Sequence, residues 1–408
     1  MARLSFPTPP GWMRRGPLRE GAFRSTLHDE RTAALVGTAL GIAFTTAFLT
    51  GLLSHELQLR HPPTWIPDRP VWIYRFTQGL HIASGIASIP LLLAKLWTVY
   101  PKLFGWPPVK SLLHALERLS IAVLVAGAIF QLVTGLLNVV QWYPWRFAFK
   151  PVHYWVAWIT VGALILHLAV KAPAIARGYR GQVADAPADG SEPAPAPPPA
   201  PAPALAPDRR PAPASRRAML LTTGAAVGVV TLTTLGQSVT WLRGIDLLAP
   251  RDPSVGPQGI PINRTAAQAG VLTSAYATDW RLSVAGPRPF ELSLAQLGAL
   301  PQYEAVLPIA CVEGWSVNGH WQGVRLVDLL DRVGAPTGSD IRIVSLEKAG
   351  FYAATTMPHE YSHDPLTLLA LRLNGQRLSI DHGYPARIIA PGRPGVLQTK
   401  WVSRIEVL

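Results

Sequence analysis

Cysteine is nearly absent from this chain of 408 residues, in which Cys311 is the only one. A single thiol excludes an internal disulfide, and it also excludes an iron–sulfur cluster held by several cysteines of the chain. No glycine-rich dinucleotide fingerprint occurs either, which argues against a dinucleotide-binding domain of that type. The roles that remain for Cys311 are those of a soft-metal ligand, a nucleophile or an inert residue of the core.

Charged residues are also scarce, at 15% of the chain, whereas 49% of the residues are hydrophobic and 14 are tryptophan. This balance is too apolar for a soluble protein of this length and predicts a membrane protein with a soluble part. The net charge of +13 does not indicate nucleic-acid binding, because the basic residues are spread over termini and loops without a recognition motif. The first 30 residues lack an apolar core, so we expect no cleavable signal peptide.

Acidic and basic residues are missing from five windows that are long enough to cross a hydrocarbon core of about 30 Å. Before the fifth window, residues 183–214 are dominated by proline and alanine, which predicts an extended spacer. Of the segments that flank these windows, every second one is richer in lysine and arginine. The richer segments include the N-terminus and the spacer, which the positive-inside bias places in the cytoplasm. The windows are 33–53, 76–94, 119–144, 152–170 and 218–242.

The spacer is followed by Ser215-Arg-Arg-Ala-Met-Leu-Leu221 and an apolar segment, which together resemble an internal twin-arginine export signal. A simpler interpretation is that Arg216 and Arg217 obey the positive-inside rule before a fifth helix. Both interpretations place the residues after Trp241 on the outer side of a bacterial cytoplasmic membrane. Recognition by the twin-arginine export machinery would suit a domain that folds around its cofactor before it crosses.

Histidines are rare within membrane helices and indicate function when they occur there. His153 and His167 lie 14 residues apart in one predicted helix. At about 100° and 1.5 Å per residue, this spacing returns to within about 40° of the same face after about 21 Å. Such a helix can supply one axial ligand to each of two haems, one towards each membrane surface. The simpler role, a hydrogen bond to a neighbouring helix, stays open for each histidine.

The predicted four-helix unit, residues 28–173, resembles the dihaem cytochrome b subunits of membrane formate dehydrogenases and hydrogenases. The resemblance rests on the paired histidines and on Gly79-Leu-His-Ile-Ala-Ser-Gly85 in the second helix. It implies two b-type haems, with His81 and His153 as the ligands of the outer one. For the partner of His167 it implies a residue at the cytoplasmic start of the first helix. The candidates for the remaining ligand positions are His28, its rival His114, and His55, which is also a candidate contact for a propionate or a quinone.

Cys311 lies in Leu307-Pro-Ile-Ala-Cys-Val-Glu-Gly-Trp-Ser316, between a predicted strand and a turn. Further motifs follow in order: Gly323-Val-Arg-Leu-Val-Asp-Leu-Leu330, Leu373-Asn-Gly375, Asp381-His-Gly-Tyr-Pro-Ala-Arg387, Pro391-Gly392 and Lys400-Trp-Val-Ser-Arg-Ile-Glu406. This ordered set, over about residues 255–408, resembles the molybdopterin domain of the sulfite oxidase superfamily. Val312 and Glu313 are most similar to the branch that contains the bacterial periplasmic methionine-sulfoxide reductases.

The resemblance implies a mixed α+β fold, and short apolar runs between turns independently predict a β-rich domain with a tight hairpin at Asn374-Gly375. It also implies that the Cys311 thiolate ligates molybdenum, with Glu313 as a neighbour that holds a metal-bound water or modulates protonation of an oxo group. The remaining candidates are contacts of the pterin or of the substrate channel, and their simpler roles are a solvated basic surface and packed aromatics. They are His382, Arg387 and Lys400 for the pterin, Asn263 beside the metal, and Tyr352 and Tyr361 for the channel.

The sequence thus predicts a membrane α-helical bundle followed by an α+β, β-rich domain of the sulfite-oxidase type. No immunoglobulin-like dimerisation domain follows the last motif, so we expect the catalytic domain to be monomeric. The predicted segments are a cytoplasmic N-terminal segment (1–27), a four-helix cytochrome b domain (28–173), a cytoplasmic linker (174–214), a fifth transmembrane helix (215–242) and an extracytoplasmic molybdopterin domain (250–408).

The predicted reaction is oxygen-atom transfer at molybdenum, with electrons that pass between a membrane quinol and the metal through the haems. The favoured direction is reduction of an S-oxide such as methionine sulfoxide, free or protein-bound. One alternative reverses the current, so that sulfite or a related anion is oxidised and electrons enter the quinone pool. A second alternative has no catalysis, and the outer domain is then a ligand-binding sensor on a cytochrome anchor.

Overall fold

The computed structural model describes residues 7–19, 22–23, 25–63, 69–180 and 215–408, so the predicted spacer at 183–214 lies outside the described residues. Within these ranges the N-terminal part is helical, and it begins with the short helix α1 (Gly11–Arg15). Five longer helices follow, all of which are long and apolar enough to cross a membrane. They are α2 (Glu30–Leu57), α3 (Ile73–Val99), α4 (Leu112–Val139), α5 (Phe149–Arg180) and α6 (Arg216–Leu235).

The helix ends differ from the boundaries that hydropathy predicts, and the C-terminal ends of α5 and α6 are two examples. Helix α5 extends to Arg180, seven residues into the segment predicted as linker, and α6 stops at Leu235, before the end of the predicted fifth helix. After the end of α6, Gly236 packs closely on a later segment, because an added Cβ there would lie 2.3 Å from the Cβ of Asp246. The chain turns there, and the N–H of Leu248 donates to the carbonyl of Thr233 at 2.8 Å. The predicted window does not report such a turn, because the residues that make it carry no charge.

The C-terminal part contains two sheets, as the alternation of short apolar runs predicts. The first has the strand order β2-β1-β10-β5-β6, and β1 and β10 are parallel while the other neighbours are antiparallel. The second has the order β3-β4-β7-β8, and β9 also pairs with β7. The strands are β1 (Arg281–Ala285), β2 (Phe290–Ser293), β3 (Tyr303–Ala310), β4 (Ser316–Arg325), β5 (Ile341–Ser345), β6 (Ala354–Met357), β7 (Leu368–Leu373), β8 (Gln376–Arg377), β9 (Arg387–Ile389) and β10 (Val402–Val407).

Short helices connect these strands, and the longest of them packs into the core. This is α10 (Leu326–Val333), which buries Leu326, Leu329, Leu330 and Val333 in a core cluster to which both sheets contribute. The hairpin predicted at Asn374-Gly375 joins β7 and β8, and both of its residues have the positive φ that such a turn requires. The other helices are α7 (Ala266–Ala269), α8 (Leu272–Ala275), α9 (Leu294–Ala299) and α11 (His359–Ser362).

The chain divides into two compact units, each of which draws on several helices. One unit comprises residues 1–42, 88–129 and 158–228, and it contains His28, His114 and His167. The other comprises residues 43–87, 130–157 and 229–408. The second unit therefore holds parts of α2 to α6 together with both sheets, and it includes Cys311 and the histidines at positions 55, 81 and 153.

Candidate active site

Cys311 is the first residue after β3, in the tight loop that connects β3 to β4. The loop is closed by two backbone hydrogen bonds, from Cys311 N to Trp315 O at 2.9 Å and from Gly314 N to Cys311 O at 3.1 Å. Gly314 has a φ of +98°, which favours glycine at this turn. The Cys311 side chain is 1% exposed, and burial together with the nearby Glu313 carboxyl raises the pKa of the thiol. A positively charged metal at the sulfur would reverse that preference and favour the thiolate.

Glu313 places a carboxyl group beside this thiol. Its side chain accepts a hydrogen bond from Trp315 Nε1 at 3.0 Å and another from Gln141 Nε2, and Arg251 Nε lies 3.9 Å from Oε2. Burial raises the pKa of Glu313, and the donors from Trp315 and Gln141 partly offset that effect. The site thus contains a second proton carrier besides the thiol, held in place by an indole and an amide.

The contact from Gln141 was not predicted from the sequence. Gln141 follows α4 and has a φ of +56°, which is unusual for a residue with a side chain. Besides Glu313, its amide reaches the carbonyl of Asn263 at 3.5 Å, so Asn263 lies on the Glu313 side of the Cys311 loop. An apolar window shows where a helix runs but not that the residue at its end turns back, and no sequence signal marked Gln141.

The predicted pterin contacts lie on two neighbouring segments and are linked to each other. Arg387 Nη1 donates to the carbonyl of His382 at 3.0 Å, and Lys400 Nζ donates to the carbonyl of Asp381 at 2.8 Å. His382 and Arg387 are 1% and 2% exposed, which excludes a solvated basic surface for these two residues. Burial lowers the pKa of His382 to about 4, that of Arg387 to about 9 and that of Lys400 to about 7.

The buried cations have little direct counter-charge, although the Asp381 carboxylate acts on Lys400 from beyond ion-pair distance. Among the described residues, no carboxylate forms an ion pair with Arg387 or Lys400. Their donors are directed to backbone carbonyls, such as Gln398 O at 3.2 Å from Arg387 Nη2. Because an uncompensated buried charge is costly, these residues fit an anionic group such as the phosphate of a pterin.

Arg393 extends this cationic region and was missed in the sequence. It is 2% exposed, and its Nη2 donates to Thr356 O at 2.8 Å, but Nε and Nη1 have no hydrogen-bond partner within the described residues. It follows the Pro391-Gly392 turn, and two residues later Gly395 packs so closely that an added Cβ would lie 2.9 Å from Ala310 O. The neighbouring Pro-Gly motif was the available signal, but the motif itself does not include the arginine.

The two candidate channel tyrosines have different surroundings. Tyr352 accepts a hydrogen bond from Lys150 Nζ at 2.7 Å and donates to Gln58 O at 3.1 Å, and burial raises its pKa to about 12. Tyr361 is buried in the core cluster to which both sheets contribute, with the guanidinium of Arg393 5.8 Å from its ring centroid. The structure thus places Tyr361 among packed residues, and it links Tyr352 to residues of the helical part.

His81 and His153 are brought together, as predicted for the outer haem. Their ring centroids are 6.4 Å apart with an interplanar angle of 78°. An iron atom bonded to one nitrogen of each ring at about 2 Å would hold the two centroids about 6 to 6.5 Å apart. The separation therefore fits a bis-imidazole haem ligand pair.

The hydrogen bonds of the two rings leave the same nitrogen free on each. His81 Nδ1 lies 2.8 Å from the carbonyl of Ala47, which can only accept, so Nδ1 carries the proton. His153 Nδ1 lies 3.3 Å from Thr134 Oγ1, whose own hydrogen is donated to Phe130 O at 2.7 Å. Nε2 of both rings is then the unprotonated nitrogen, which is the arrangement that oriented metal ligands share.

Glycines lie beside both rings. An added Cβ at Gly51 would lie 3.0 Å from Cε1 of His81, and one at Gly135 would lie 3.7 Å from Cε1 of His153. The third histidine of this unit, His55, is not part of the pair. It stacks on Tyr154 with ring centroids 3.9 Å apart and an interplanar angle of 18°.

The structure does not bring His167 into ring contact with either of its candidate partners within the described residues. The two candidates nevertheless differ in which nitrogen is free. His28 Nδ1 lies 3.3 Å from the carbonyl of Thr98 and therefore carries the proton, which leaves Nε2 free. His114 Nδ1 accepts a hydrogen bond from Lys110 N at 3.1 Å, so its Nε2 is protonated in the neutral ring. This difference favours His28 as a ligand.

Comparison with known proteins assigns the C-terminal part of the chain. Residues 269–408 match the family described as oxidoreductase molybdopterin binding domain. The chain is 33% identical over 132 residues to the uncharacterized oxidoreductase YuiH of Bacillus subtilis, covering 32% of this chain and 65% of that protein. It is 29% identical over 153 residues to sulfite oxidase of Arabidopsis thaliana, covering 29% of this chain and 39% of the relative.

A third relative is named as part of a reductase. The chain is 32% identical over 170 residues to the putative protein-methionine-sulfoxide reductase subunit YedZ1 of Azospira oryzae, covering 41% of this chain and 63% of that protein. Among solved structures, the sulfane dehydrogenase SoxCD of Paracoccus pantotrophus matches with 26% identity and a TM-score of 0.33, over 38% of this chain and 44% of that one. The chain spans less than two thirds of the length of each of these proteins.

The matched residues thus form a molybdopterin-binding oxidoreductase domain of the sulfite oxidase superfamily, as the ordered motifs around Cys311 indicated. The prediction of a molybdenum-dependent oxidoreductase is confirmed for this domain, residues 269–408.

Proposed function

We propose that this protein is a membrane-bound enzyme that reduces an S-oxide, such as methionine sulfoxide, with electrons taken from a membrane quinol through two b-type haems. The N-terminus would lie in the cytoplasm, and the molybdopterin domain would lie outside and act as a monomer. Five apolar helices and the positive-inside pattern support membrane insertion. The relative YedZ1, named as a subunit of a putative protein-methionine-sulfoxide reductase, supports the choice of substrate class.

The chain's own residues have distinct parts in this reaction. Cys311 would ligate molybdenum, and His382, Arg387 and Lys400 would hold the anionic pterin. When bound, the molybdenum–pterin group supplies two-electron oxygen-atom transfer chemistry. Reduction of R₂S=O consumes two electrons and two protons and releases R₂S and water. The Glu313 carboxyl can hold one of these protons beside the reacting centre.

The observation that carries this direction is the acidic side chain beside the cysteine. Glu313 is 4% exposed and lies two residues after Cys311. An ionised carboxylate there would repel an anionic substrate such as sulfite, whereas a protonated one is a proton donor for the departing oxygen of a neutral sulfoxide. Both protonation states thus favour a neutral S-oxide over an anion.

Oxidation of sulfite or a related anion is the second candidate, and Arg393 favours it. Two of its guanidinium nitrogens have no partner within the described residues, and its loop packs against the residue before Cys311. A buried guanidinium with free donors would bind an oxyanion. One of the matched relatives is named sulfite oxidase, which is consistent with this interpretation.

An optical experiment distinguishes the two directions. The haems of the purified protein are reduced under anaerobic conditions, methionine sulfoxide is added, and the reduced haem band is followed. We expect the band to decay in the wild type and in Val312→Ala, and to persist in Cys311→Ser, which lacks the metal's sulfur ligand. A band that persists in the wild type, with haem reduction when sulfite is added to the oxidised protein, would establish the opposite direction.

A further inference from the structure

The cytoplasmic ends predicted for two helices form an open cavity that the proposed reaction does not use. Its volume is about 470 Å³, and it lies where α2 and α6 begin. Half of the lining residues are arginines and half are leucines, so the lining is cationic in part and apolar in part. The lining residues are Arg31, Leu35, Arg216, Arg217, Leu220 and Leu221.

The acidic residues beside this cavity are already paired. Asp29 forms an ion pair with Arg216, whose Nε also donates to Thr32 Oγ1 at 3.0 Å. Glu30 forms an ion pair with Arg177, with Nη2 and Oε1 3.1 Å apart. The carboxylates at the start of α2 are therefore paired with Arg177 and Arg216. Neither forms an ion pair with the other arginines of the cavity, Arg31 and Arg217.

Two positive charges are therefore uncompensated at the cavity. Arg31 and Arg217 are exposed, and neither forms an ion pair with another described residue. Each lies in the first turn of a long helix, α2 or α6, where the partial positive charge of the helix N-terminus adds to its own. The combined field attracts an anion, and the two arginines approach it from different helices.

The size and the leucines indicate what kind of anion fits. A cavity of about 470 Å³ is much larger than an inorganic phosphate needs, and three leucines would gain nothing from a fully hydrated ion. An amphiphile uses both sides of the lining. We propose that this cavity binds an anionic phospholipid, with the headgroup phosphate on Arg31 and Arg217 and an acyl chain along Leu35, Leu220 and Leu221. The proposal rests on the proposed membrane insertion, and it gives Arg217 a role that does not depend on export.

Native mass spectrometry of the full-length protein tests this site. Protein is purified in detergent, exchanged into equal amounts of phosphatidylglycerol and phosphatidylcholine, and the retained lipids are counted. We expect preferential retention of phosphatidylglycerol, and a loss of about fivefold in that preference for each of Arg31→Gln and Arg217→Gln. Arg180→Gln is the matched control, because Arg180 is an exposed arginine at the end of α5 that does not line the cavity.

Three results would overturn the lipid site. They are equal retention of the two lipids, an unchanged preference in Arg31→Gln and Arg217→Gln, and loss of the preference in Arg180→Gln. Inorganic phosphate is also added to protein that carries phosphatidylcholine alone. If it binds there, and if it displaces phosphatidylglycerol from the other sample, the cavity is a site for a free anion. Arg31→Gln leaves Arg216-Arg217 intact, so its result is separate from any effect on export. A protein extracted without detergent would refute membrane insertion itself, whereas failure of the lipid preference alone would leave the proposed reaction standing.

Discussion

His382 shows how a single buried side chain ties the stability of the molybdopterin domain to pH. Burial and the nearby Arg387 guanidinium lower the pKa of His382 to about 4, and its Nε2 donates to Pro257 O at 2.7 Å. In the unfolded chain an ordinary histidine takes up a proton near pH 6.5. The unfolded state therefore binds the proton first, and the folded state loses stability as the pH falls from about 6.5 to about 4.

We predict that, without the pterin, the free energy of unfolding falls by up to about 3 kcal/mol over this pH range because of His382. His382→Gln keeps a donor for Pro257 O but cannot be charged, so its stability should depend less on pH. Denaturant unfolding at a series of pH values measures the difference. The exposed His320 gives the control His320→Gln, which should keep the wild-type slope, and an equal slope in His382→Gln would contradict the prediction.

The residues of the site also show where sequence reasoning succeeds. Cys311, His382, Arg387 and Lys400 stand in motifs with a fixed order, so their proximity on neighbouring segments could be predicted, although their roles stay predictions. Gln141 could not be predicted, because it reaches Glu313 from a turn 172 residues away in sequence. A motif records which residues lie close along the chain, whereas such a contact depends on how a helix end is packed.

At the scale of the helices, hydropathy predicted the existence of α2 to α6 well and their ends poorly. Two glycines of α2 have very different surroundings. An added Cβ at Gly51 would press on the ring of His81 at 3.0 Å, whereas Gly41 has nothing within 4 Å. One glycine is needed for the position of a haem ligand, and the other is not.

Gly51→Val should therefore displace His81 and remove one of two b-type haems, whereas Gly41→Val should keep both. The haem content per protein, measured by the pyridine haemochrome, reports the result. His153→Ala gives the reference spectrum of a protein without the outer haem. Retention of both haems in Gly51→Val and in His153→Ala would return these histidines to a packing role.

The two candidate partners of His167 lie on different segments, His114 on α4 and His28 on the segment that precedes α2. Because Nε2 is the free nitrogen in His28 but is protonated in His114, we predict that His28→Ala and His167→Ala each remove the same haem. His114→Ala should leave both haems in place. Spectra of the three variants, compared with His153→Ala, identify which haem is lost. Loss of a haem in His114→Ala, with none lost in His28→Ala, would reverse the assignment.

At the scale of the whole molecule, one compact unit joins the helical part to the Cys311 loop. Gln78 of α3 accepts a hydrogen bond from Ser54 Oγ at 2.7 Å, and its Nε2 donates to Val312 O at 2.9 Å. Three residues further along α3 is His81, and an added Cβ at Gly314 would lie 2.9 Å from Ile82 Cγ1. One helix thus carries the predicted haem ligand and contacts the loop that holds the predicted molybdenum ligand.

This arrangement predicts that α3 is the route by which electrons pass between the outer haem and the metal. Gln78→Leu leaves the buried carbonyl of Val312 without its donor, which costs about 1 to 3 kcal/mol and loosens the loop. We expect full haem and molybdenum contents but a severalfold slower oxidation of the reduced haem in stopped-flow experiments with methionine sulfoxide. Gln58→Leu is the matched control, since Gln58 donates to Ser54 Oγ and Tyr74 OH in the same buried network but does not donate to Val312. Equal rates in the two variants would show that the contact between α3 and the Cys311 loop is structural only.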